Sequence, residues 1–137
     1  MRLRVTTPMT CVLDLSDVAS VRAEDESGSF GILQGHADLL TALSVSVVGW
    51  RTGAGTSGFC AVRGGVLTVR SGSNVDIASR EAVLGDNLEQ LETNVVTRFR
   101  SELDAERVAR VDSARLHMAA VREIVRRLRG PARAGLP

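Results

Sequence analysis

Hydrophobic and polar residues alternate through most of residues 1–85. The alternation is clearest in Leu3-Arg4-Val5, in Val75-Asp76-Ile77 and in the longer run Leu43-Ser44-Val45-Ser46-Val47. A period of two residues places alternate side chains on opposite faces of a half-buried strand. Turn-forming residues separate these runs, as in 52–58 and 71–74. Many short strands with no helical pattern between them predict an antiparallel sandwich or barrel.

The hydrophobic period changes after residue 85. Eleven of the 13 glycines lie in residues 1–85, and none lies between residues 86 and 129. Apolar residues now recur at helical spacing, first in a docking stripe and then in a second stripe. The docking stripe comprises Leu88, Leu91, Val95 and Phe99, and the second comprises Val111, Met118, Val121, Val125 and Leu128.

This helical region is predicted to be a two-helix hairpin over residues 86–129. Asp86 and Glu89 form a capping pair at its start, and Gly130-Pro131 ends it. An unbroken helix of about 40 residues would be far longer than average, and Ser101-Glu102-Leu103-Asp104 offers a second capping box. Residues 86–106 carry six acids and two arginines, a balance of −4, whereas residues 107–137 carry eight arginines and two acids, a balance of +6. Opposite charge favours antiparallel pairing of two helices, with a flexible tail at 130–137.

Composition excludes several functions. All 17 basic residues are Arg, so neither a Schiff-base lysine nor a phosphate-binding Walker lysine exists. A net charge of +1 and an aromatic content of 3% do not favour nucleic acid. The longest uncharged stretch, residues 39–50, is too short to span a bilayer, and we expect no signal peptide because the alternating pattern begins at once. We predict no catalytic residues, no metal and no cofactor, and two small buried cysteines in strands, Cys11 and Cys60.

Two motifs resemble one known family. The segment Gly31-Ile32-Leu33-Gln34-Gly35-His36-Ala37-Asp38-Leu39-Leu40-Thr41-Ala42-Leu43 resembles the ATP synthase epsilon-subunit motif G-I-x-P-G-H-A-P-L-L-T-x-L. The second match is Gly64-Gly65-Val66-Leu67-Thr68-Val69 followed by Asn74-Val75-Asp76-Ile77-Ala78, which in the family is a glycine pair that opens a strand, followed by a hairpin. Order and spacing agree over roughly residues 1–129.

The resemblance implies a fold and a set of partners. It implies a β-sandwich of about ten strands over residues 1–85, which binds the gamma subunit and rests on the c-ring, followed by a helical hairpin that can restrain ATP hydrolysis. The chain would be a non-catalytic subunit coupling rotation between the c-ring and the catalytic head, peripheral to the cytoplasmic face of the bacterial inner membrane. The c-ring contact would fall on Gly31, Gln34, Gly35 and His36, and the contact with the catalytic alpha and beta subunits on Arg122, Arg126, Arg127 and Arg129.

Departures from the family pattern change some expectations. Gln34 and Asp38 stand where the family commonly has proline, which predicts a less rigid loop. Glu92 stands where nucleotide-binding relatives have a phosphate-binding arginine, so we predict no nucleotide site. The region between the helices is short, as in the alternative, sometimes sodium-linked, ATP synthases. The coupling ion stays open.

Two alternatives remain at this point. His36 is either a turn residue whose imidazole satisfies a backbone carbonyl or an exposed contact with the c-ring. The chain as a whole could instead be a free-standing β-sandwich adaptor whose basic helical tail binds nucleic acid or an acidic protein. Salt-dependent binding to nucleic acid without co-purification of gamma would favour the adaptor.

Overall fold

The computed structural model describes residues 1–129 and contains eight strands followed by a helical region. The predicted tail at 130–137 lies outside the described residues. The chain divides into two compact units, of which the first comprises residues 1–100 and the second begins at Ser101. The strands are β1 (Arg2–Thr6), β2 (Cys11–Leu15), β3 (Val18–Asp25), β4 (Gly28–Leu33), β5 (Leu39–Thr52), β6 (Ser57–Arg70), β7 (Asn74–Ala78) and β8 (Ala82–Gly85).

The strands form one hydrogen-bonded sheet in the order β2-β1-β7-β6-β5-β3-β4, with β8 paired to β6. All pairs are antiparallel except β1 with β7, which is parallel, so the prediction of a purely antiparallel sheet was wrong at this pair. Strand β7 joins the C-terminal half of β6, whereas β8 joins its N-terminal half. The two long strands β5 and β6 therefore belong to both halves of the sheet. The first half-sheet comprises β2, β1 and β7 with residues 39–43 of β5 and 65–70 of β6, and the second comprises β8, β3 and β4 with residues 45–52 of β5 and 57–63 of β6.

A bend in β5 and β6 separates these halves. The bend lies between two paired positions, Leu43 opposite Gly65 and Val45 opposite Arg63. On one side of it the odd-numbered residues face the main core, and on the other side the even-numbered residues do. In β6, residues 60 and 62 are buried before the bend and residues 67 and 69 after it. A one-residue shift in the alternation exchanges the two faces of a strand, so opposite faces of β6 supply the buried side chains before and after the bend.

The two halves pack face to face around the main core. Leu3, Leu67 and Ile77 come from the first half, and Ile32 and Val48 from the second, and all are fully or almost fully buried. The arrangement confirms a β-sandwich in outline. About ten strands were expected and eight are observed. Strands β5 and β6 each continue through the bend, and dividing each of them there would give ten.

Gly64 and Gly65 make the bend possible. Both have positive φ, +69° and +116°, and a Cβ on Gly65 would lie 2.1 Å from the carbonyl oxygen of Ala78. L-residues are strained at such φ values, and the neighbouring strand leaves no space for a side chain. The glycine pair was expected to open a strand. It lies instead inside β6, because backbone pairing with β5 continues on both sides of it.

The two cysteines differ in environment. Cys60 is fully buried in the main core, and burial raises the pKa of its thiol to about 11. Cys11 is exposed on strand β2, so the prediction that it is buried was wrong. At neutral pH a thiol with a raised pKa stays protonated, so Cys11 is the more reactive of the two.

The helical region begins at Asn87, not at Asp86. The Asn87 side chain accepts hydrogen bonds from the backbone N–H groups of Glu89 (2.9 Å) and Gln90 (3.3 Å). It caps α1 (Leu88–Gln90), which runs into a π-helical segment (Leu91–Val96) and then α2 (Thr97–Arg129). Asn is among the strongest N-cap residues because its carbonyl oxygen satisfies free helix N–H groups.

The predicted hairpin turn is not observed in residues 88–129, which are helical throughout. The expected second cap, residues 101–104, lies inside α2. Between residues 86 and 129 there is no glycine or proline to break the helix, so every residue can extend it. The capping box alone does not end the helix, since its residues are also tolerated in helix interiors.

The bend provides a direct test of the fold. Gly65→Ala should lower the free energy of unfolding by roughly 2–4 kcal/mol, because backbone strain adds to the clash with Ala78. Gly55→Ala is the matched control, since Gly55 also has a positive φ (+88°) but open space around it; it should cost about 1 kcal/mol. Urea unfolding followed by Trp50 fluorescence measures both. Equal losses would show that the close approach to Ala78 does not matter.

Candidate functional site

The β4–β5 loop, residues 34–38, is held against the turn between β6 and β7. The backbone N–H of Gly35 donates to the carbonyl of Gly72 (2.8 Å), and the N–H of His36 donates to that of Leu33 (3.1 Å). A Cβ on Gly72 would lie 2.9 Å from the Cα of Gly35, so the two backbones are in close contact. Gly35 itself has φ +87°, which explains why the motif has glycine there.

Asp38 adds a second connection between these loops. Its carboxylate accepts a hydrogen bond from the backbone N–H of Ser71 at 3.0 Å. Ser71 has φ +55°, the only positive φ of a non-glycine residue among those described. A charged acceptor on this N–H offsets part of the strain. The loss of the family's proline at position 38 therefore comes with a specific polar contact across the loops.

His36 is half-buried, and its Nδ1 lies 2.7 Å from the carbonyl oxygen of Ala37. A carbonyl only accepts, so Nδ1 carries the proton and donates. This contact is the one expected of a turn residue. It does not exclude the second reading, because Nε2 has no hydrogen-bond partner within residues 1–129.

Exposed residues surround this loop end. Gly31, Gln34 and Gly35 are all exposed, as the c-ring prediction requires, although their role stays a prediction. Sequence reasoning missed the two large apolar side chains beside them, Leu33 at 63% and Leu40 at 72% exposure. The alternation of the strand could have predicted the exposure of Leu33, because Leu33 follows the buried Ile32 and must point to the opposite face.

The docking stripe packs on the outer face of the second half-sheet. Leu91, Val96 and Phe99 are buried against Ala61, with other apolar side chains around them: Val45, Val47, Phe59, Val83 and Val95. Thus the first unit has three layers, two half-sheets and one helical layer. Of the four residues predicted for docking, Leu91 and Phe99 are buried and Val95 is half-buried, whereas Leu88 is 43% exposed.

The π-helical segment explains why Val96 was missed. In an α-helix the position four residues after Leu91 is Val95, which lies on the same face. A π-helical turn contains an extra residue, so the position that follows Leu91 on the buried face becomes Val96. Phe99 then follows Val96 by three residues and is fully buried.

Two further contacts fix this helical layer. A Cβ on Gly85 would lie 2.9 Å from the Cγ of Leu91, so the glycine at the end of β8 lets the leucine approach the strand. The Arg98 guanidinium lies 3.1 Å from a carboxylate oxygen of Glu81. Both side chains of this pair are about half exposed, so apolar burial contributes most of the stabilisation.

The second unit is described here by α2 residues 101–129. Its apolar residues follow a heptad spacing of alternate three- and four-residue steps, which we call the α2 seam: Val111, Ala114, Met118, Val121, Val125 and Leu128. All are exposed, Leu128 at 83% and Met118 at 52%. A continuous apolar stripe of this length in solvent is typical of an interaction surface.

The four predicted arginines divide into two pairs around this seam. Arg122 and Arg129 come directly after a residue of the seam, as Arg115 does, and so lie along its edge. Arg126 and Arg127 lie on the far side of the helix, where both form ion pairs with Glu123. The sequence spacing alone contained this division.

The described residues offer little for chemistry. Within residues 1–129 no group of three His, Cys, Asp or Glu side chains could hold a metal ion.

Asp25 has a lowered pKa because the Ser27 and Thr41 hydroxyls donate to its carboxylate, which ties the β3–β4 turn to β5. Of the helices in the described part, none has the length and hydrophobicity needed to cross a bilayer.

Comparison with known proteins gives the class. Residues 1–85 match the family model described as ATP synthase, Delta/Epsilon chain, beta-sandwich domain. The ATP synthase epsilon chain 2 of Paraburkholderia xenovorans is 47% identical over 129 residues, which are 94% of this chain and 93% of that relative. The protein of the same name from Cereibacter sphaeroides is 46% identical over 126 residues, 92% of this chain and 86% of that one.

Solved structures agree with this class. A chain of the Euglena gracilis mitochondrial ATP synthase structure with OSCP, F1 and c-ring superimposes with a TM-score of 0.58 at 25% identity, over 66% of this chain and 58% of that chain. A chain of the Tetrahymena thermophila mitochondrial ATP synthase central stalk and c-ring structure gives 0.54 at 18% identity, over 61% and 65%, and shows the fold alone. The sandwich and the matched model define a delta/epsilon-type subunit of ATP synthase. This chain belongs to the ATP synthase epsilon-chain family.

The docking of the helical layer can be tested by truncating its most buried side chain. Phe99→Ala should destabilise the first unit by about 3–5 kcal/mol, because the fully buried ring is replaced by a cavity. Leu116→Ala is the control, since Leu116 is 72% exposed and should change stability by less than about 0.5 kcal/mol. Guanidinium unfolding followed by Trp50 fluorescence measures both. An unchanged Trp50 transition in Phe99→Ala would show that the helical layer is not part of the folded core.

Proposed function

We propose that this chain is a non-catalytic subunit of the ATP synthase central stalk, which couples rotation between the c-ring and the catalytic head. The observation that supports this most strongly is the β4–β5 loop, which the family motif forms. Backbone hydrogen bonds and the hydrogen bond that Asp38 accepts hold this loop against the β6–β7 turn. A loop fixed in this way can transmit force without yielding, and the packed sandwich behind it resists deformation. The proposed location is peripheral, on the cytoplasmic face of the bacterial inner membrane.

The c-ring contact is proposed for the loop end. Gly31, Gln34, Gly35 and His36 would form its polar and backbone part, and Leu33 and Leu40 its apolar part. Exposed leucines beside a preorganised loop suit burial against another protein, since the loop loses little conformational freedom on binding. The Euglena gracilis structure, one chain of which resembles this fold, includes a c-ring, which supports the same partner.

The gamma subunit is proposed to bind the outer face of the first half-sheet. Ala42, Val66 and Ala78 are neighbours across three strands there, and all three are exposed. They form an apolar row that has no cover within residues 1–129. Such a row on the surface of a sheet is suited to burial by a partner protein.

The α2 seam is proposed to contact the catalytic alpha and beta subunits and to restrain ATP hydrolysis. Of the four predicted arginines, Arg122 and Arg129 flank the seam and would face acidic residues of the head, whereas Arg126 and Arg127 already pair with Glu123. The two-helix arrangement stays a proposal for this segment in the assembled enzyme.

Site-directed cross-linking tests the c-ring contact. In a Cys11→Ser background, His36→Cys labelled with a maleimide photo-cross-linker should give an adduct with the c subunit in assembled membranes. Cys60 stays unlabelled because it is buried and its thiol pKa is raised to about 11. Glu26→Cys, in the exposed turn at the opposite end of β4, is the matched control and should give no such adduct. Adducts from Glu26→Cys alone would reverse the proposed orientation.

The proposed restraint on hydrolysis is tested by charge reversal. Arg122→Glu should raise the ATPase rate of assembled membranes severalfold, because the seam then repels the acidic surface it is proposed to meet. Arg126→Glu should leave the rate nearly unchanged. Equal rates for both variants and the unmodified chain would mean that the α2 seam does not restrain the head.

A further inference from the structure

The helical layer covers only part of the outer face of the second half-sheet. Leu91, Val96 and Phe99 cover the part formed by β5, β6 and β8. The neighbouring part, formed by β3, β4 and β5, contains an open groove of about 480 Å³. We call it the Gly31–Gly49 groove, after the two glycines at its floor.

The groove has a simple construction. Gly31 and Gly49 lie opposite Arg22 in the register of the adjacent strands, so the floor lacks side chains on both sides of this arginine. The Phe59 ring rises on one side, 3.4 Å from where a Cβ of Gly49 would be, and Leu33 stands on the other side. Phe59 also belongs to the cluster under the helical layer, so the groove continues the surface on which that layer docks.

Positive charge is concentrated on this groove. Arg22 and Arg51 both line it, on diagonal positions of the paired strands β3 and β5. Neither forms an ion pair with a carboxylate in residues 1–129. Like charges on neighbouring sheet positions repel each other, and the repulsion is relieved when carboxylates of a partner lie between them.

We propose that the Gly31–Gly49 groove binds an acidic amphipathic α-helix of another protein, placed beside the chain's own helical layer. The groove is apolar along its walls, which suits the apolar face of a helix, and cationic at Arg22 and Arg51, which suits carboxylates one turn apart. The helical layer beside it shows that this face of the sheet accepts a helix. A helix in the groove would extend that layer and cover Phe59.

Cross-linking in the assembled ATP synthase tests this proposal. In the Cys11→Ser background, Ser57→Cys at the groove wall should give a photo-adduct with a second polypeptide, and mass spectrometry should map it to a helical segment with carboxylates three or four residues apart. Thr10→Cys, exposed in the β1–β2 loop, is the positional control. Arg22→Glu combined with Arg51→Glu should reduce the adduct at least tenfold, whereas Arg70→Glu, exposed on the other half-sheet, should not.

Three results would overturn the proposal: no adduct above the Thr10→Cys control, an adduct within the same chain, or an adduct unaffected by the two charge reversals. A fourth concerns a small anion as occupant. Isothermal titration calorimetry with inorganic phosphate measures such binding directly. Saturable binding of inorganic phosphate below 1 mM (roughly the affinity of a weak specific site) that Arg22→Glu abolishes would assign the groove to phosphate instead.

Discussion

The fold depends on the bend that the two longest strands make at Ser44 and at Gly64-Gly65. There the backbone of Gly65 approaches the carbonyl of Ala78 so closely that only a glycine fits. The bend turns one ladder of β5 and β6 into two half-sheets, whose inner faces enclose the main core. The alternation of inward and outward side chains shifts by one residue at the bend. In the second half-sheet, Val45, Val47 and Ala61 therefore point outward, away from the main core.

This outward surface gives the molecule its third layer. The helical segment must match a fixed set of apolar positions on the sheet, and the π-helical turn brings Val96 and Phe99 into register with them. The loop end, at residues 34–38, is fixed separately by the turn at residues 71–73. A hydrogen-bonded loop end and a helical layer thus sit on one sandwich, and the proposed coupling role depends on both.

Much of this could be predicted from the sequence, and the failures have physical causes. Alternation predicted the strands and the glycine distribution predicted the change to helix, because both are local properties. The glycine pair was taken for a strand start, since only the partner strand reveals that pairing continues through Gly64 and Gly65. Neighbouring Val95 and Val96 are equally apolar, so the sequence does not show which one the π-helical turn buries. Capping residues at 101–104 predicted a turn, although the absence of glycine and proline lets the helix continue.

For the candidate site, the motif predicted the loop. It did not predict the exposed Leu33 and Leu40, or the Asp38–Ser71 contact, which depends on a turn far away in sequence.

In the proposed arrangement the chain contacts both gamma and the c-ring. Isolation of the assembled enzyme from membranes through an affinity tag on this chain, followed by quantitative mass spectrometry, tests it most directly. We expect one gamma subunit per tagged chain together with the c subunits of the ring, at a constant ratio after a salt wash. Recovery of the tagged chain with neither gamma nor c subunits would contradict it.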